Sequence, residues 1–186
     1  MQPIMKKLFV LMCVALLSIS AQAQEKGDFA IGLRGGPTIN KINLDGLGIE
    51  ESVTRWGVGA FAQYGLSNHF RLDFEGIYHP KKNNVSDFQL GLDIQYLFNV
   101  ADGIKVFPLL GYALAFQKTE AYTVTDGRGS VSISHDDEST TDGGIQIGAG
   151  VEFNLGSNCF ISGEYRFQPG IFGDGHCIMA SVGYRF

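Results

Sequence analysis

The chain has 186 residues, 25 of them Gly and 14 Phe, and its 14 Lys plus Arg against 19 Asp plus Glu give a net charge of −5. Charged residues make up 18%, below the roughly 25% usual in soluble proteins, while the hydrophobic share is 45%. This balance excludes a disordered chain, glycine without a three-residue period excludes collagen, and the acidic excess excludes a basic nucleic-acid binder.

The first element in chain order is a leader. Lys6 and Lys7 precede an apolar run from Leu8 to Ile19 broken only by Ser18, and Ala21-Gln22-Ala23 has the small-x-small form of a cleavage site. The run is too short to span a bilayer. Residues 1–23 are therefore expected to be a secretory signal peptide, leaving 24–186 as one domain. Losing Lys6 and Lys7 leaves 12 basic and 19 acidic residues, a net charge of −7. No lipid attachment is expected at Cys13, which lacks the preceding small residues.

Period-two alternation then recurs in eight segments. Their apolar positions begin with Phe29, Ile31 and Leu33, then Trp56 to Tyr64, then Phe70 to Tyr78. Phe88 to Phe98, Val106 to Phe116 and Ile145 to Phe153 follow, then Ile161 to Phe167 and Ile178 to Phe186. Alternate residues share one face of a strand. Most segments reach the about 9–11 residues that cross a bilayer at a tilt. Gly65 to Asn68, Ala101 to Gly103 and Gly156 to Asn158 read as tight turns. The links near 40–55, 79–87, 118–143 and 168–176 read as longer loops. Short turns on one side and long loops on the other are the layout of an outer-membrane barrel. Pro108 interrupts the fifth segment and donates no ladder hydrogen bond, so a bulge or late pairing is expected there.

A soluble barrel would alternate as well, with its apolar face inward. The polar face argues for the membrane. It carries Gly32, Gly57, Gly59, Gly91, Gly111, Gly148, Gly150 and Gly183, which make room for long neighbours in a narrow lumen. It also carries Arg34, Arg55, Arg71, Arg166 and Arg185 against Asp73, Glu75, Asp93, Glu152 and Glu164. Arg bonds carboxylates through two parallel donors and tolerates burial better than Lys. Aromatic residues cluster at both ends of the segments, as at two membrane interfaces. The expected fold is all-β: an eight-stranded antiparallel up-and-down transmembrane β-barrel with short periplasmic turns and longer extracellular loops, in the cell outer membrane.

Three stretches carry a family likeness: Phe29 to Asn40 (FAIGLRGGPTIN), Gly57 to Asn68 (GVGAFAQYGLSN) and the end Ser181 to Phe186 (SVGYRF). They resemble the small eight-stranded outer-membrane barrels of Bacteroidetes-type Gram-negative bacteria, labelled PorT-family or porin-family, with the general build of the OmpA and OmpX barrels. The resemblance implies that Val182, Tyr184 and Phe186 form the terminal signal read by the barrel-assembly machinery. It implies no catalytic motif.

The ten lumen charges have two readings: a polar path for small solutes, or a structural network of ion pairs. Eight strands enclose little more than their own side chains. Phe61, Ile77, Leu97, Phe107 and Leu109 would share that space, which favours the network. Loop 118–142 holds two cations against six carboxylates. Within it Asp136, Asp137 and Glu138 could offer weak contact to a divalent cation, but they match no calcium-loop spacing and read more simply as solvated charge. No metal site and no cofactor are expected. The outer loops together sum to about −6 by sequence, leaving Lys81 and Lys82 as the basic spot able to meet a lipopolysaccharide phosphate.

The functional reading is a monomer in outer-membrane lipid and lipopolysaccharide, with a structural or surface-recognition role through loop 118–142. The alternatives are passive porin-like transport and lipid modification. For the latter, Ser132, Ser134, His135 and Asp136 are the candidates; His69, His79 and His176 lie at strand ends. A flexible polar loop is the plainer reading, so the chain is not expected to be an enzyme. Cys159 and Cys177 fall at opposite ends of the barrel, beyond the roughly 7 Å that a disulfide allows between Cα atoms.

Overall fold

The computed structural model describes residues 26–44, 49–82, 85–119, 122–125, 132–135, 138–171 and 173–186. The leader 1–23 and the acidic pair Asp136 and Asp137 lie outside the described residues, as does the side chain of Glu138.

Alternating sequences become strands because each gives the backbone a partner on both sides while sorting side chains to two faces. The strands are β1 (Phe29–Leu44), β2 (Ile49–Gly65), β3 (Phe70–Lys82), β4 (Val85–Tyr96), β5 (Ile104–Thr119), β6 (Glu138–Leu155), β7 (Cys159–Gln168) and β8 (Asp174–Arg185). A short piece, Phe98–Ala101, continues β4 after Leu97. Each strand pairs antiparallel with its sequence neighbours. β8 returns to β1, from Ala30↔Arg185 to Lys41↔Asp174. The sheet closes on itself, and closure leaves no edge strand to aggregate. This is a closed eight-stranded antiparallel barrel.

The two faces are inverted relative to a protein in water. Leu33, Val58, Leu92, Leu110, Ile147, Ile178 and Val182 are exposed on the outer face, while charged and amide side chains are buried within. A continuous apolar exterior of this extent needs an apolar solvent. Three inward phenylalanines fill the lumen against glycines directly across the ladder: Phe61 on Gly32, Phe107 on Gly150 and Phe160 on Gly183. A Cβ on any of those glycines would strike the facing ring. Each ring carries an arginine on top, Arg34 at 4.3 Å, Arg71 at 5.2 Å and Arg185 at 5.0 Å from the respective centroids. The packed unit is thus glycine, ring and guanidinium, with a cation–π contact at its inner surface.

The short turns occur where expected, with Gly103 at φ 73° and Gly156 at φ 81°, a region glycine enters without steric cost. The outer links are shorter than expected. Pairing continues to Leu44↔Ile49, to Lys82↔Val85 and to Thr119↔Glu138. Apolar alternation stops where the strands leave the membrane, but backbone pairing does not need it. Loop 118–142 also contains a small hairpin, Tyr122–Thr125 with Ser132–His135.

Pro108 departs from expectation. Neither a bulge nor a delayed start occurs at it: β5 pairs with β6 without interruption, Pro108 opposite Ala149. The cost falls on the other side. Pairing with β4 stops at Gln95↔Leu109 and resumes in unchanged register at Phe98↔Val106, so the gap lies opposite the proline. On the other side of β4 the ladder with β3 continues past the gap, the Leu97 amide donating to the His69 carbonyl at 2.7 Å. The register shift comes further on, between Asn99 and Ala101. Cys159 and Cys177 are both free. Cys159 pairs with Tyr184, seven positions along β8 from Cys177, which is about 23 Å at a strand's rise.

The lumen as candidate functional site

Inward residues stack in three layers. In the central layer Arg34 reaches from β1 across β2 to β3. Its Nη2 lies 2.8 Å from Asp73 Oδ2 and its Nη1 2.6 Å from Glu75 Oε2, with Glu164 Oε2 at 3.6 Å. Arg166, on the opposite wall, bonds Glu75 directly through Nη1. Its Nη2 lies 2.7 Å from Glu164 Oε2 and 3.3 Å from Asp93 Oδ2. Gln63 donates to Asp73 at 2.6 Å and Gln146 to Asp93 at 2.5 Å. Two guanidiniums therefore serve four carboxylates, and the Glu75–Arg166 link spans the lumen from β3 to β7. Glycine makes this possible at the wall: a Cβ on Gly91 would meet Glu75, and one on Gly111 would meet Asp93.

The periplasmic layer reverses the ratio. Glu152 receives Arg71 Nη1 at 2.6 Å, Arg185 Nη2 at 2.7 Å and Lys105 Nζ at 3.5 Å. Arg71 also donates through Nε to Gln95 at 2.8 Å. Lys105 is not among the expected lumen charges, yet it is 5% exposed. It shares the inward parity of Phe107 and Leu109, which is the signal the sequence offers; its place just after a turn makes it look like rim.

The extracellular layer holds residues that the sequence pattern places at loop ends. Asp87 pairs with Arg55, and its Oδ2 lies 2.9 Å from His79 Nδ1. His79 Nε2 is 3.1 Å from Thr38 Oγ1, and that hydroxyl donates to Cys177 Sγ at 3.5 Å. Cys177 donates to Gln168 at 3.3 Å, and Gln168 to Gln146 at 2.7 Å. One chain of ion pairs and hydrogen bonds therefore runs from Arg55 down to Asp93. Hydroxyl, imidazole and carboxylate stand in the order of a nucleophile relay. Thr38, however, is 4% exposed and His79 1%, and the hydroxyl is engaged by Cys177, so the arrangement reads as a brace between layers. Because Asp87 belongs to the lumen, the outer loops carry about −5 rather than −6, by the same sequence count.

All ten expected lumen charges point inward; nine are buried and Arg185 is half-buried. Lys105 and Asp87 complete the set at six cations and six carboxylates. Val182 and Tyr184 lie on the outer face of β8 and Phe186 is exposed just past its end, where its amide donates to the Phe29 carbonyl at 2.8 Å. The side chains of Ser132, Ser134 and His135 are outside the described set. No group of three or more His, Cys, Asp and Glu suited to a metal occurs among the described residues.

A closed eight-stranded barrel, apolar outside and ion-paired inside, defines an outer-membrane β-barrel protein. A family model described as outer membrane protein beta-barrel domain matches residues 9–186, and the chain belongs to that family. Among solved structures it is similar to the N-terminal β-barrel domain of Pseudomonas aeruginosa OprF, with 18% identity, TM-score 0.58, 88% of this chain and 100% of that one covered. Neisserial surface protein A is similar at 17% identity and TM-score 0.58, covering 87% of this chain and 98% of the other. Ail, the attachment invasion locus protein of Yersinia pestis, is similar at 16% identity and TM-score 0.51, covering 87% and 99%. At these identities the likeness is one of fold. A search of curated proteins gives no match.

Proposed function

We propose that this outer-membrane barrel is a non-enzymatic, structural platform that presents its extracellular loops for surface recognition, with a lumen closed to steady ion flow. The observation carrying this reading is the central layer. Arg166 and Arg34 tie β1, β3, β4 and β7 together across the lumen, and the side chains of that layer are at most 2% exposed. A pore would need those ion pairs to part, at a cost of several kcal/mol for each buried charge left alone.

Residues 1–23 direct export, 24–186 form the barrel in a Bacteroidetes-type, PorT-like outer membrane, and Val182, Tyr184 and Phe186 address the assembly machinery. The monomer sits in lipid and lipopolysaccharide, Lys81 and Lys82 being its basic contact. Loop 118–142 is the recognition element. Ail has been solved in complex with the heparin analogue sucrose octasulfate; the acidic loops of this chain disfavour such a polyanion and favour a neutral or cationic partner.

Planar-bilayer recording of the refolded chain tests the closed lumen. The expected result is no steady conductance above about tens of picosiemens, roughly the scale of a narrow water-filled pore; sustained openings would support passive transport instead. Capture of surface partners with loop 118–142 intact and deleted tests recognition, and equal capture by both forms would refute it.

A further inference from the structure

We propose that the periplasmic mouth of the barrel is a binding site for a small anion, a phosphate or a carboxylate, held by the Lys105 ammonium. Two independent observations carry it.

The first is the charge ratio. Arg71, Arg185 and Lys105 converge on the single carboxylate of Glu152. The two arginines take its oxygens at 2.6 and 2.7 Å, while Lys105 stands off at 3.5 Å. An ammonium has three donors and no acceptor. Its side chain is 6% exposed, so bulk water does little to satisfy them, and a buried cation without full partnering is costly.

The second is space. A cavity of about 550 Å³ opens at this mouth, lined among others by Lys105, Asn99, Asn154 and Asp102. That volume is within the range of small-molecule sites. Asn154 lines the same cavity as Lys105, and a side-chain amide carries two donors that an anion can accept. Lys105, Asn99 and Asn154 share the lumen parity of Phe107, Gln95 and Glu152 on their strands. The cavity therefore lies at the periplasmic mouth, between these side chains and the exposed turn from Ala101 to Gly103. Asp102 stands on the exposed turn, where solvent and salt screen its charge more than that of the buried Lys105.

An anion here would bring a fourth group to a cluster that holds one negative charge against three positive ones. It has two available sources, a free inorganic or organic anion and the carboxylate end of a peptide. Calorimetric titration of the refolded chain in detergent micelles, with inorganic phosphate in one arm and N-acetylalanine in the other, separates them. Saturable one-to-one binding is expected in at least one arm, and the arm that binds tighter identifies the source. Lys105→Met should weaken binding by about tenfold or more, the worth of a charged hydrogen bond. Asp102→Asn should tighten it. Should Lys105→Met fail to fold, judged by loss of the heat-dependent gel shift, Asn154→Asp serves instead. It sets a carboxylate against the ligand while keeping Lys105, and should weaken binding similarly. No saturable binding in either arm, or binding unchanged in the folded variants, would overturn the proposal.

Discussion

The central and periplasmic layers of the lumen use the same residue types in opposite proportion. In the centre, Arg34 and Arg166 are shared among Asp73, Glu75, Asp93 and Glu164; at the periplasmic end, Arg71, Arg185 and Lys105 share Glu152. Neither layer is neutral, but the carboxylate excess of one cancels the cation excess of the other, and the extracellular Arg55–Asp87 pair is neutral by itself. The difference teaches that a neutral lumen does not imply neutral neighbourhoods. A guanidinium in the centre is a scarce resource whose loss strands several carboxylates. A cation at the periplasmic end is one of three, and its loss relieves repulsion as well as removing a bond.

Arg166 is the cation with most to lose, since three carboxylates depend on it. Arg166→Met keeps the length of the side chain but takes the guanidinium from Glu75, Glu164 and Asp93 together. The expected loss is about 3–5 kcal/mol, the cost of leaving buried charge unpaired, read from denaturant unfolding in lipid vesicles. Arg71→Met is the matched change in the other layer. Glu152 would keep Arg185 and Lys105, so the expected loss is smaller, about 1.5–3 kcal/mol, as for hydrogen bonds to charged groups. Equal losses at the two positions would show that local charge ratio does not set the cost.

Much of this architecture is legible in the amino-acid sequence. Period-two alternation locates all eight strands, because a barrel wall has two chemically different faces and no edge to blur them. The ten lumen charges follow from the same parity. What is not legible depends on closure. Arg71 and Glu152 are 81 positions apart, and only the ring of registers from β1 round to β8 brings them together. The same holds for the chain from Arg55 to Asp93. His79 and Asp87 escape the sequence pattern for a different reason. They share the parity of Glu75 and Asp93, but apolar alternation fades near the outer rim, so their strands look shorter than they are. Lys105 escapes it in the same way at the inner rim.

Lys105 is also where the contrast between layers becomes sharpest. If three cations on one carboxylate is one too many, removing the most distant should cost little. Lys105→Met takes away an ion pair of 3.5 Å and leaves those of 2.6 and 2.7 Å intact. It also removes repulsion against Arg71 and Arg185, and puts an apolar chain of similar length on a buried wall, a replacement that is often neutral or stabilising for buried ionic groups. The expected change in unfolding free energy is within about 1 kcal/mol of zero, of either sign. A loss as large as that of Arg166→Met would mean that Lys105 is a structural partner of Glu152 equal to the arginines. In that case its donors would already be committed, and the mouth of the barrel would have no spare ammonium to offer an anion.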